Sequence, residues 1–145
     1  MTTPDDPLLL ERQLCFPLYA AARRVTALYQ PFLKPLGLTY TQYLVMLVLW
    51  EYGEQRVGDI CRRLCLDSGT LTPVLKHMEQ AGLLQRTRSG QDERVVYVAL
   101  TPEGSDLREQ AMAIPARIGA CVPLSPEEAL TLWQLLHKIL QATDL

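Results

Sequence analysis

The order of apolar stripes between Arg56 and Leu100 leaves this chain few architectures. Val57, Ile60, Cys61, Leu64 and Cys65 fall at offsets 0, 3, 4, 7 and 8, the spacing of one face of a short helix. The turn Leu66-Asp67-Ser68-Gly69-Thr70 follows, with several side-chain acceptors able to cap a second helix. Leu71, Val74, Leu75 and Met78 form that helix's stripe, and Ala81-Gly82 closes it, glycine supplying the left-handed conformation past the last turn. Leu83 to Thr87 and Val95 to Leu100 then predict two strands around the polar tip Arg88-Ser89-Gly90-Gln91-Asp92-Glu93-Arg94. Helix, turn, helix and ribbon is the order of a winged helix-turn-helix.

With Leu71, Leu75 and Met78 inward, the second helix presents Ser68, Thr70, Thr72, Pro73, Lys76 and His77 on its other side. Short hydroxyls and one lysine suit close approach to base edges and phosphates. Pro73 lacks an N–H, so the helix is expected to begin near Gly69 or Thr70, with Pro73 in its first turn. A solvated face that touches nothing fits the same pattern. Arg86, Arg88 and Arg94, gathered on the ribbon beside Asp92, shift the balance toward nucleic acid.

Charge argues the other way and has to be met. The net charge is −2, where free-standing DNA-binding domains are often strongly basic. Residues 54–100 hold 7 basic groups against 6 acidic, and residues 101–145 hold 3 against 6. DNA affinity therefore depends on shape and on two copies binding together rather than on a large positive field.

Residues 8 to 30 predict one helix, with Leu10, Leu14, Leu18, Ala21, Val25 and Leu28 as its stripe and a bend at Pro17. After breaks at Pro31, Pro35 and Gly37, Thr39 or Thr41 caps a helix from Gln42 to Tyr52 that is apolar on nearly every side, which predicts burial all round. Beyond the wing, Thr101-Pro102 starts a helix running through Leu107, Ala111, Ile114 and Ile118, crossed by Pro115. A break at 119–124 contains Cys121, and Ser125-Pro126-Glu127-Glu128 opens the last helix. Hydrophobic residues make up 48% of the chain, and the terminal helices carry more leucine than one small domain covers. The chain is thus expected to be a single, mainly α domain with a small β wing. Residues 54–100 would form the DNA-binding lobe, and residues 8–36 and 101–143 would supply helices for a homodimer on a palindromic operator. No apolar run nears the roughly 18 residues of a membrane span, and Pro4, Asp5 and Asp6 do not make a cationic signal peptide; the expected compartment is the cytoplasm.

Three stretches, Gln13-Leu14-Cys15-Phe16, Leu36 to Met46 and Leu66 to Pro73, together resemble the MarR-type winged-helix repressors, and within them the organic hydroperoxide resistance regulators. Asp92-Glu93-Arg94 matches a wing common to the wider family. The resemblance spans about Leu14 to Leu140. It implies a dimeric repressor that releases its operator when a reactive cysteine, here Cys15, is oxidised by an organic hydroperoxide. It further implies that Tyr29 and Tyr40 reach that cysteine across the dimer, and Tyr19 lies one turn on from it. Phe16, Leu18, Met46 and Trp50 are expected walls of an apolar peroxide pocket. Some members resolve the oxidised cysteine with a second one far down the chain, in the partner subunit, and Cys121 matches that subclass.

Cys61 and Cys65 read as small core hydrophobes, since only His77 and His137 are available to complete a metal site; no metal and no cofactor are expected. Two other functions compete. One is a MarR-type repressor released by a small aromatic ligand. The other is a cysteine peroxidase, which would want an arginine and a carboxylate close beside the thiolate, and Glu11 and Arg12 are the nearest. The expectation is a regulator and not an enzyme.

Overall fold

In the computed structural model, residues 6–142 are described. Residue 143, where the predicted last helix ends, and Pro4 and Asp5 lie outside them. The elements are α1 (Cys15–Leu28), α2 (Gln30–Leu33), α3 (Tyr40–Tyr52), β1 (Gln55–Arg56), α4 (Val57–Leu64), α5 (Ser68–Gln80), β2 (Leu84–Arg88), β3 (Val96–Leu100), α6 (Pro102–Ala111), α7 (Ile114–Cys121) and α8 (Pro126–Ala142). The winged helix-turn-helix is as predicted, with one addition. The ribbon is part of a three-stranded antiparallel sheet ordered β1-β3-β2, in which Gln55 and Arg56 pair with Val98 and Tyr97. Two residues carry too short a pattern to announce a strand.

The core lies where α3 crosses the two lobe helices and the sheet. Val45, Met46, Val48 and Leu49 of α3 pack with Ile60 of α4, Leu71, Leu75 and Met78 of α5, Leu84 and Val98. Thr39 caps α3 in a capping box with Gln42, through bonds of 3.2 and 3.1 Å, so the helix starts at Tyr40, two residues before the predicted Gln42. Nor is α3 buried all round: Leu47 is 39% exposed and Tyr52 45%, one stripe being left without cover.

Prolines account for most other departures. Residues 8–30 are not one bent helix. Leu10–Arg12 is a separate 3-10 turn and α1 begins at Cys15, which puts Pro17 in the first turn, where an N–H has no intrahelical partner to lose. Pro115 does the same for α7, splitting the predicted helix at Met112-Ala113. Pro73 goes the opposite way. Asp67 accepts from the Thr70 amide at 2.6 Å and starts α5 at Ser68, so Pro73 sits inside the helix and not in its first turn, exposed to solvent. Cys65 leaves the expected stripe. It closes α4 in the left-handed conformation, φ 54°, and is exposed. Cys121 is the last residue of α7 and not part of a break; Val122, extended before Pro123, ends the helix.

Asp67's carboxyl is held below the usual carboxylate range, chiefly by the Thr70 amide. A depressed pKa contributes stability that is present above the ordinary carboxylate value and lost as pH falls through the lowered one. Acidification should therefore loosen the start of α5, and Asp67→Asn should flatten that part of the thermal-stability profile against pH. A profile with the same acid limb in Asp67→Asn would rule the cap out.

α1 and α8 bury none of their residues in the single chain. On α8, Leu132, Trp133, Leu135, Ile139 and Leu140 stand 44 to 57% exposed. No single helix among the described residues is long and apolar enough to cross a membrane, and the one pair that passes together is bent by 71°.

Candidate nucleic-acid interface and reactive thiols

A groove of about 750 Å³ runs between α5 and the wing, lined by Ser68, Thr72, Lys76, Arg86, Arg88 and Arg94. These are residues expected from sequence. Arg56 and Arg62 join them and were not anticipated, because the β1–β3 pairing that brings β1 beside the wing spans forty residues of chain. Six cations thus face one acid, Asp59, which is paired with Arg62. Thr70 and Pro73 are exposed on α5 without lining the groove. Asp92 accepts from the backbone and side chain of Arg94 at 3.0 and 3.3 Å, which folds the wing tip.

The arginines are not equivalent. Arg86 donates its guanidinium to Glu79 at 3.0 and 3.3 Å and its backbone N–H to the same carboxylate at 2.8 Å. These bonds hold the Glu79 carboxyl below its ordinary range and fasten β2 to the last turn of α5. Arg88 donates to the Glu93 carbonyl across the wing at 3.2 Å. Arg94 is 92% exposed and available to a phosphate or minor groove. Arg94→Ala should weaken operator binding and flatten its log–log salt dependence by roughly one unit. Arg86→Ala should instead lower thermal stability by freeing the wing. Titrations at several salt concentrations decide it, and an unchanged slope in Arg94→Ala would take the wing tip out of the interface.

Cys15 is the first residue of α1, exposed, with its thiol free. Tyr19, one turn on, is 60% exposed under the Arg23 guanidinium. The other two expected tyrosines are found together: the rings of Tyr29 and Tyr40 lie 4.8 Å apart. Tyr43, not anticipated, joins them at 5.7 and 6.4 Å; its place one turn beyond Tyr40 was the available signal. Burial pushes the Tyr29 phenol up, and burial with the neighbouring Tyr29 does so for Tyr40, keeping both as O–H donors. Tyr29 directly follows the 14 residues of α1, which sets it about 21 Å from Cys15 of the same chain at 1.5 Å per residue.

Of the four expected pocket walls, Met46 is a correction. It is fully buried in the core, packed in one cluster with Ile60, Leu71, Leu75 and Met78, and leaves no surface for a pocket wall in the single chain. Phe16 and Leu18 are exposed near the head of α1. Trp50 lines an apolar groove of about 370 Å³ with Tyr43, Leu47, Ala111, Met112 and Pro115, and its indole N–H donates to the Gly104 carbonyl at 3.0 Å. Phe16 and Leu18 do not line that groove. Cys121 is exposed and free. Cys61 is half-buried, its thiol pushed up first by burial and then by Asp67.

A cationic groove between a recognition helix and a wing, carried beside terminal helices that lack cover, defines a winged-helix DNA-binding regulator. Residues 27–111 match the family of the transcriptional regulators SarA and Rot. The organic hydroperoxide resistance transcriptional regulator of Bacillus subtilis (strain 168) is 46% identical over 141 residues, 97% of this chain and 96% of that protein. Reduced AbfR bound to DNA, from a protein of Staphylococcus epidermidis, superposes with a TM-score of 0.77 at 38% identity, covering 92% of each chain. Disulfide-formed AbfR, at the same identity and covering 92% of this chain and 90% of its own, scores 0.67. The chain therefore belongs to the MarR-type winged-helix transcriptional regulators, among the organic hydroperoxide resistance regulators.

Proposed function

We propose that the protein is a homodimeric repressor that senses organic hydroperoxides through Cys15 and then releases a palindromic operator in the cytoplasm. The observation that carries this reading is the pair Tyr29 and Tyr40, 4.8 Å apart, two phenol donors side by side. Tyr29 stands about 21 Å along α1 from its own Cys15, and Tyr40 lies beside Tyr29, so the pair is out of reach of that thiol and would serve the thiol of a second chain. The uncovered faces of α1 and α8 supply the surface for that second chain.

The Cys15 thiolate attacks the terminal oxygen of ROOH and the O–O bond breaks. Sulfur becomes a sulfenic acid, and the leaving alkoxide takes a proton from a phenol, which regains one from water, and departs as the alcohol. The Cys121 thiol of the partner subunit then condenses with the sulfenic acid, forming an S–S bond and releasing water. A disulfide requires the two Cα atoms within about 7 Å, so closing it draws the head of one α1 toward the end of the partner's α7. Each Cys15, with the partner's resolving thiol, consumes one peroxide without turnover, as a sensor requires and an enzyme does not.

Operator gel shifts with and without stoichiometric cumene hydroperoxide test the reading, beside a non-reducing gel of the same samples. The expected result is release together with a covalent dimer that Cys121→Ser fails to form. Release from a chain that stays monomeric on that gel would replace Cys121 by an external thiol. The groove beside Tyr43 and Trp50 favours one second reading, a small aromatic ligand as inducer; that reading expects release by such a ligand and none by peroxide.

A further inference from the structure

The start of α6 is fastened to the end of the recognition helix α5 more firmly than chain connectivity requires. Gly82, with φ 78°, and Leu83 close α5, the Leu83 amide donating to the Met78 carbonyl at 3.0 Å. Both of their carbonyls are taken by the first turn of α6. The Thr101 hydroxyl donates to the Gly82 carbonyl at 2.6 Å, and the Thr101 amide to the Leu83 carbonyl at 3.1 Å. The same hydroxyl accepts from the Gly104 amide at 3.1 Å and caps α6. Gly104 is buried against this joint, where any Cβ would overlap the Leu83 carbonyl oxygen. Trp50 of α3 grips the Gly104 carbonyl from the other side.

α6 leads through Met112-Ala113 into α7, which ends at Cys121. One piece of backbone therefore links the candidate resolving thiol to the helix that reads DNA, and its far end is clamped at three places. We infer that Thr101 and Gly104 form a rigid joint that makes α5 follow α6, and that Thr101 is a positioning residue for operator release. The inference rests on the peroxide-release reading above. Motion of α6 is delivered to α5 as displacement because the contact has no slack: two hydrogen bonds, at 2.6 and 3.1 Å, hold it closed and the missing Cβ leaves no gap.

Thr101→Val removes the hydroxyl at nearly constant volume, and Thr101→Ser keeps it. The ratio of operator Kd between peroxide-treated and reduced protein should fall by about tenfold in Thr101→Val, within the range of site-to-site couplings, and return in Thr101→Ser. Cys15 oxidation, followed by loss of free thiol, should run at the wild-type rate in both. A wild-type ratio in Thr101→Val would overturn the inference. Wild-type protein that keeps its operator after peroxide would instead sink the underlying reading and this inference with it. Amide hydrogen exchange on the wild type gives a check that needs no variant: Thr101 and Gly104 should stay protected through oxidation. Loss of that protection would mean that the joint opens rather than transmits, and would equally overturn the inference.

Discussion

Cys15→Ser should hold its operator and ignore organic peroxide. Serine keeps the size of the side chain, and at an exposed first position of α1 no packing is lost, so fold and dimer should persist. What is lost is the oxidation ladder itself, since a hydroxyl cannot become a sulfenic acid or a disulfide. The peroxide-induced change in Kd should fall to none. Tyr40→Phe should act more mildly, slowing oxidation by about a hundredfold if the phenol donates to the leaving oxygen, with reduced operator binding unchanged. If Cys15→Ser still lets go of DNA on treatment, Cys65 becomes the sensor to examine before Cys61. Cys65 is exposed, whereas burial and Asp67 push the Cys61 thiol up.

Leu135→Glu combined with Ile139→Glu should turn the protein into a monomer with little hold on its operator. The two side chains lie one turn apart on α8, 55 and 44% exposed in the single chain. Covering a leucine or isoleucine is worth about 1.5–3 kcal/mol, and a dimer would cover each of them twice. Replacing four such contacts with carboxylates removes that gain and adds like-charge repulsion. Two recognition helices on one particle bind with an effective concentration that separate monomers lack, so operator affinity should drop by roughly 10²–10⁴-fold. Size-exclusion chromatography and a gel shift on the same preparation measure both effects. A double variant that elutes as a dimer would move the interface away from α8.

Caps and stripes carried most of the fold in plain sight. Thr101-Pro102 and Ser125-Pro126-Glu127-Glu128 open helices where expected, and Ser125 and Glu128 exchange bonds of 2.8 and 3.2 Å as a capping box. What the chain hides is the phase of its prolines. Pro17 and Pro115 read as interruptions until the helix start is known, and both prove to be first-turn residues. Pro73 reads as a first-turn residue until Asp67 is seen capping from further back. The same locality governs the site. The cations of α5 and the wing are visible in order along the chain. Arg56 enters the groove only through strand pairing, and the attachment of Arg86 to Glu79 joins two elements that no periodicity relates. The phenol pair was readable only by resemblance, since Tyr29 lies between α1 and α2 and Tyr40 opens α3, and the two meet through the fold.

The separation of charge described above bears on how such a protein finds its site in a cell. Six cations share one groove, while the whole chain carries a net charge of −2. Away from the groove the surface is on balance anionic and is pushed off the phosphate backbone. A random encounter with DNA is therefore productive in one orientation and repelled in most others. Binding to arbitrary sequence stays weak, so few copies are held by the vast excess of non-operator DNA, and occupancy of the true site is set by the ratio of the two affinities. A lightly charged repressor of this kind needs only a modest loss of fit to let go, which suits a switch thrown by one oxidised sulfur.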